Sequence, residues 1–359
     1  MKKILYTITI LTSVFSIAQK DELKTLKKIT ANDKIVAEDM QTYTATLSKV
    51  ETLAVSDEDK NSVSYYKGIK AIKELSQFGF QPSKEQIAKI FTPQNIITSL
   101  VELKKVLDYE IKSGKKVYTD EIEKLLILYK PMLIDASFAL NEAKRYKEAS
   151  EVFYAWFQFD SLNYMYLENA AVLAQLAEDF LTSEKYYKEI QKIGFDGTGT
   201  QVFKSTKKDV ANSIASFAFY RKDYEQAKKD YAYLVSLDPS DLQAQVNEAN
   251  CYYFLNDLTT YKTKISAVLA KDPNNATLQF NVGYLMLSDD AKLVEEINAN
   301  LKNDKKYNEL TAKRKEMFKN AMPYFEKSYQ LDASNADCKA ILKTCYEILG
   351  MKDKAATLK

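Results

Sequence analysis

Along most of this chain, apolar residues recur at spacings of three and four, the mark of helices with one buried face. The plainest case is residues 95–111, where Ile96, Ile97, Leu100, Leu103, Val106 and Leu107 line a single stripe. Residues 37–54 read as another helix, and Tyr65-Tyr66-Lys67-Gly68 sits inside a third. In the second half the pattern becomes regular. Residues 146–159, 180–193, 224–237 and 321–332 each open on an aromatic or small residue and carry Lys and Glu on one side; the first three end on apolar positions and the last on Leu331-Asp332. Breaks are few: Phe78-Gly79-Phe80-Gln81-Pro82, Phe91-Thr92-Pro93, Asp238-Pro239 and Asp272-Pro273 punctuate the runs. These features predict an all-α chain.

The pair Asp238-Pro239 returns as Asp272-Pro273, each closing one helical run and opening the next. Repeat starts then fall at 130, 164, 208, 242 and 276, with a partial unit from 336; three of the four steps between full units equal that interval. Three positions per unit then align: Ser137, Ala149 and Trp156; Ala171, Ser183 and Ile190; Ala215, Ala227 and Leu234; Ala249, Tyr261 and Val268; Gly283, Ala321 and Ser328. Ten of these fifteen are Gly, Ala or Ser, the side chains that let two helices cross closely. The fourth unit departs most, with Tyr261 where Ala is expected. Asp238 and Asp272, with Ser240 and Asn274 beyond the prolines, are placed to cap the helices that follow.

This pattern resembles the tetratricopeptide repeat (TPR) family, whose unit is a pair of antiparallel helices of roughly 34 residues. The resemblance implies a TPR-like superhelical solenoid of antiparallel helix pairs. It covers residues 116–359 well and residues 19–115 more weakly, as an N-terminal helical region with degenerate repeats or a separate small helical domain. Two departures stand out. The step from 164 to 208 is longer than the others, and a Gly-rich loop at 194–200 takes up the excess. Inside the last full unit, the second-helix signature appears near 317 instead of 291. The insertion lies near 291–317, and the run from Lys305 to Leu331 reads as one long helix leading into the repeat signature, which Pro323 should bend or break unless it opens a new helix. The organisation is also similar to exported TPR proteins of Bacteroidetes.

Residues 1–18 differ from the rest. Lys2 and Lys3 precede a short apolar run, with Ser16 and Ala18 at its end, which reads as a secretory signal peptide cleaved after Ala18. The run is shorter than the ~20 residues of a membrane span. No Cys for a lipid anchor lies near the cleavage point. The expectation is a periplasmic or secreted protein with no integral membrane segment after cleavage. Its charge would be balanced: Lys plus Arg falls from 51 to 49, equal to Asp plus Glu. Without a basic excess or stripe, no nucleic-acid partner is expected.

Composition narrows the chemistry further. His is absent, which excludes imidazole catalysis, His-ligated zinc and ordinary haem ligation. Only 8 Gly in 359 residues argues against a Rossmann or P-loop site. Cys251, Cys338 and Cys345 form no CxxC pair and read as small core residues. The acidic clusters Asp57-Glu58-Asp59 and Glu295-Glu296 lie in polar runs that read as solvated faces. No catalytic, cofactor-binding or metal-binding residue is assigned, and no enzyme is expected.

TPR arrays bind segments of other proteins on the surface lined by the first helix of each pair. Carried onto this chain, that surface has Asn212, Ser216, Phe219 and Tyr220 in the third unit and Val246, Asn250, Tyr253 and Phe254 in the fourth. The fifth contributes Phe280, Tyr284 and Leu287, and the first two Ile134, Phe138, Asn141, Glu168, Val172 and Gln175. Asn offers a donor and an acceptor to an extended backbone, and aromatics offer area at low entropy cost. The basic clamp that grips acidic chaperone tails is missing. The leading expectation is a non-enzymatic scaffold in the cell envelope that binds a peptide or partner protein. Peptide-groove candidates are Asn212, Ser216, Phe219, Tyr220, Asn250, Tyr253 and Tyr284. A carbohydrate- or cell-wall-binding helical repeat protein, whose exposed coplanar Tyr would stack on sugars, is the alternative. Self-association through an uncapped end is a third reading.

Overall fold

Each long apolar stripe becomes a helix, and most helices start where a short polar side chain closes the first turn. A computed structural model describes residues 19–358 apart from Asp33, Phe80, 196–198 and 200–202. The expected signal peptide at 1–18 lies outside the described residues, as does most of the Gly-rich loop. Among the described residues there is no strand. The chain runs through α1 (19–30), α2 (Ala37–Leu53), α3 (Asp57–Leu75), a 3-10 turn (Ser76–Phe78), α4 (Lys84–Ile90), α5 (Pro93–Ser113), α6 (Thr119–Glu142), α7 (Tyr146–Phe159), α8 (Tyr164–Leu176), α9 (Phe180–Ile193) and α10 (Lys207–Tyr220). It continues through α11 (Tyr224–Leu237), α12 (Leu242–Phe254), α13 (Leu258–Lys271), α14 (Ala276–Met286), α15 (Asp290–Ala299), α16 (Asp304–Leu331), α17 (Ala336–Ile348) and α18 (Lys352–Thr357).

The residues divide into two compact units, one ending at Asp223 and the other beginning at Tyr224. In the first unit, α3 packs on α5, α7 on α8, α8 on α9 and α9 on α10. In the second, α11 packs on α12, α12 on α13, α14 on α16, and α16 on α17. The repeat grammar predicts this order, because one hairpin cannot bury its apolar face alone. All fifteen aligned positions are buried, from Ser137 to Ser328. The close crossings are visible in side-chain bonds. Ser183 donates to the Ala171 carbonyl at 2.8 Å, joining α9 to α8, and Ser328 donates to the Ala276 carbonyl at 2.9 Å, joining α16 to α14.

The first helix of most pairs stops in the same way. Lys144, Glu178, Lys222 and Asn256 have positive φ, from 58° to 63°, and Gly350 takes the same place at 73°. Behind each, the next amide reaches back five positions: Arg145 to the Leu140 carbonyl at 2.9 Å, Asp179 to Ala174 at 2.9 Å, Asp223 to Ala218 at 3.0 Å and Asp257 to Tyr252 at 2.9 Å. This is a Schellman ending, which normally calls for glycine. Here it is filled by residues that tolerate the left-handed region at a cost. That explains how so many sharp turns coexist with so few glycines.

Three expectations need correction. The caps of α12 and α14 are Asp241 and Asn275, which accept from the Ala244 and Leu278 amides at 3.0 and 2.9 Å. Asp238 instead receives the Ser240 amide at 3.0 Å, and Asp272 receives the Asn275 side chain at 2.9 Å, so both acids brace the turn before the cap. Second, α16 continues through Pro323 from Asp304 to Leu331. Phe318, Ala321, Phe325 and Ser328 on that helix are all buried, and this packing on both sides of the proline outweighs the one lost backbone bond. Third, the first pair begins earlier than 130, because α6 starts at Thr119 and also carries an internal proline, Pro131. The expected insertion is α15 together with the leading turns of α16; the separate short helix α15 is an addition to the expected picture.

Candidate binding surface

On the first helix of each pair, one side faces the partner helix and the other is left over. In the first unit that leftover side carries large apolar groups at two repeat positions one helical turn apart. Phe138 on α6 and Val172 on α8 are one repeat apart and each is 40% exposed. Leu176 on α8 is 52% exposed, and Tyr220, at the corresponding position of α10, is 69% exposed. Tyr220 is not loose: its ring stands edge-on to Phe180 with centroids 4.9 Å apart. Asn212 is exposed on the same face of α10, and Ser216 and Phe219 are half-buried there. Four positions apart, Asn212, Ser216 and Tyr220 follow one another along one side of the helix.

The second unit repeats the register. Asn250 on α12 corresponds to Ser216, and Tyr284 on α14 lies one repeat beyond Asn250. Asn250 is half-buried and Tyr284 is 59% exposed. Phe254 follows Tyr220 by the same interval and stacks on Tyr224 at 4.6 Å. Tyr253 is half-buried, and its hydroxyl lies 3.1 Å from that of Ser288. Tyr284 stacks against Phe280 with centroids 5.8 Å apart, and Phe280 in turn meets Phe325 edge-on.

Two residues assigned to this face by sequence are committed elsewhere. Glu168 is buried, and its carboxylate accepts the backbone amides of Lys204 and Ser205 at 2.9 and 2.6 Å. It therefore holds the end of the Gly-rich connection against α8. Val246 is buried in the core of α12, α13 and α14. A similar clamp, not foreseen, is Glu110. Its carboxylate collects the amides of Val117, Tyr118 and Thr119 at 2.9–3.0 Å and the Thr119 hydroxyl at 2.7 Å. Burial works to raise this carboxyl's pKa, but these donors outweigh it and hold the pKa below the usual range.

Cys251, Cys338 and Cys345 are buried free thiols. Burial pushes Cys251 and Cys345 up to about 12, so neither is a thiolate at neutral pH. Among the described residues, no group of three metal-ligating side chains comes together. No helix among them is long and apolar enough to cross a membrane.

Together these features define an array of TPR-like helix pairs with an apolar, Asn-bearing register on the first helices. No protein-family model matches the chain, and no curated protein matches it significantly. Among solved structures it is similar to YrrB, described as a TPR protein with an unusual peptide-binding site, at 15% identity and a TM-score of 0.38, covering 62% of this chain and 96% of that one. It is similar to a tetratricopeptide repeat protein from Parabacteroides merdae at 15% identity and a TM-score of 0.32, covering 79% of this chain and 98% of that one. A third is a MamA double mutant at 13% identity and a TM-score of 0.38, covering 56% and 94%. At this distance none of them transfers a ligand or partner to this chain.

Proposed function

We propose that this chain is a non-enzymatic scaffold that binds an extended peptide or a partner protein on the first helices of its pairs. The observation that carries the reading is the repeated exposure of large apolar side chains at two repeat positions one helical turn apart: Phe138, Val172 and Tyr284 at the first, Leu176, Tyr220 and Phe254 at the second. Isolated apolar groups on a surface need no explanation, but a periodic row beside Asn212 and Asn250 does. Aromatic rings supply buried area, and the Asn amides bond a backbone in either sense.

The apolar leader with its Ala18 cleavage point supports export, and we place the protein in the periplasm or outside the cell. A pull-down from envelope extract tests the surface, comparing the unaltered chain with Tyr220→Ala and Asn250→Ala. Loss of one specific protein from the eluate is expected; an unchanged eluate overturns the reading. N-terminal sequencing of the exported protein should begin at Gln19, and an intact Met1 would contradict export by this leader.

A further inference from the structure

In the second unit a cavity of about 460 Å³ opens between α13, the end of α14 and the inserted helices α15 and α16. We infer that this cavity receives one large apolar side chain of a bound peptide, whose neighbouring residues carry both signs of charge. The inference rests on the peptide-binding reading and adds a second contact point to it.

The cavity exists because of two departures from the repeat. The first is Tyr261, which stands where the pattern asks for Ala. Its ring is fully buried and meets Tyr253 edge-on at 5.2 Å, so α13 presents a bulky wall where a small residue would let the helices close. The second is the insertion. Arg314 on α16 grips Asp290 on α15 through two bonds of 2.6 and 2.9 Å, and lies over the Phe318 ring at 5.3 Å. That clip holds α15 as the opposite wall.

The lining is apolar within and charged at the edge. Tyr253, Tyr261, Met286, Leu293 and Met317 form the apolar part. Two methionines suit a site that adapts to its occupant. The volume falls in the range of small-ligand sites and exceeds the space of a few waters.

Charge selects the class of occupant. Lys262, Lys292 and Lys313 line the cavity together with Asp289, Glu296 and Glu316. Glu316 pairs with Lys319 at 3.6 Å; among the described residues the other five make no ion pair. A purely anionic amphiphile meets three carboxylates and a purely cationic one meets three ammonium groups. A peptide that carries both signs around an apolar residue satisfies the edge on both counts. Because Tyr253 belongs both to this wall and to the first-helix face of α12, a peptide lying on that face reaches the cavity without leaving the unit.

The test is selection of a random heptapeptide phage library on the full chain, followed by affinity measurement of one enriched peptide. Enriched sequences should share a large apolar residue flanked by acidic and basic ones. Met317→Lys should weaken binding by about tenfold or more, as for a buried anchor. Lys292→Glu, on an exposed residue that does not threaten folding, should weaken it several-fold, and thermal melting should confirm that both variants are folded. If binding is indifferent to both changes but lost in Tyr284→Ala, the cavity inference falls and the first-helix surface stands. If the cavity variants lose binding and Tyr220→Ala and Tyr284→Ala do not, the cavity stands without that surface. If no peptide is enriched, both fall.

Discussion

The indole N–H of Trp156 donates to the hydroxyl of Ser137 at 3.1 Å, and both side chains are fully buried. Ser137 in turn donates to the Leu133 carbonyl at 2.7 Å, so its hydroxyl is used in both directions. This pair fastens α7 to α6 at a crossing where the repeat pattern asks for small residues on both helices. Ser137 stays small, and the larger Trp156 is accommodated by giving its polar edge a partner. Ser137→Ala strands the indole N–H and should cost about 1–3 kcal/mol. Trp156 is the only tryptophan, so guanidinium unfolding followed by its fluorescence reads this region directly. A loss below about 0.5 kcal/mol, the usual range of surface changes, would show the bond to be dispensable.

Close packing makes a second forecast. A Cβ on Gly283 would lie 3.0 Å from the Phe325 ring, and one on Gly68 would lie 2.7 Å from the Leu103 side chain and 3.1 Å from its backbone nitrogen. Phe325 is fully buried and cannot swing aside. Gly283→Ala and Gly68→Ala should each destabilise by about 1–3 kcal/mol, with Gly68→Ala the worse because backbone is involved. Thermal melting of both variants checks the order.

The left-handed turn residues predict a gain. Lys144 and Glu178 sit at φ 58° and 59° at the ends of α6 and α8. Lys144→Gly and Glu178→Gly remove the side-chain penalty and should raise stability by about 0.5–1 kcal/mol each, while Lys144→Val should lower it. A rise in denaturation midpoint for the glycine variants is the expected readout; a fall would mean that those side chains contribute contacts worth more than the strain.

The clamp at Glu110 gives a pH dependence. Its folded pKa lies below the unfolded value of about 4.3, so its stabilisation is complete above that value and disappears as pH falls through the folded pKa. Glu110→Gln should therefore be less stable than the unaltered chain at pH 7, with the gap narrowing below about pH 4. A gap independent of pH would mean that the ionised carboxylate is not what holds residues 117–119.

The buried thiols should ignore a thiol reagent. Burial raises all three cysteines, Cys251 and Cys345 to about 12. Labelling at pH 8 should be slow in the native protein and rapid in denaturant. Fast native labelling of Cys338 would mean that α17 opens readily from α16.

The helix pairs were legible because their cause is periodic. The recurring Asp-Pro interval, small residues at the crossings and apolar stripes all survive in a single sequence, and they placed α12 at Leu242 and α14 at Ala276. Most of the Schellman turns were not legible, since Lys144, Glu178 and Lys222 carry no sign of their positive φ, whereas Asn256 and Gly350 do. The caps were misplaced by a few positions because Asp238 and Asp241 are both good cap residues, and only the turn decides between them. Glu168 looked like a surface residue because helical spacing says which side it occupies, not which loop comes back to cover it. The cavity at Tyr261 was half visible: the sequence marked the misfit residue, but not the walls supplied by α15 and α16.

On the proposed function, the first helices meet the partner and the second helices do not. Photo-cross-linking in cells separates the two faces. A benzophenone amino acid is placed in turn at Tyr220 and Tyr284 on first helices, and at the exposed Lys229 and Ser266 on second helices. Adducts to one common partner at Tyr220 and Tyr284, with none at Lys229 or Ser266, are the predicted result. Adducts of equal yield at all four positions, or only at Lys229 and Ser266, would contradict it.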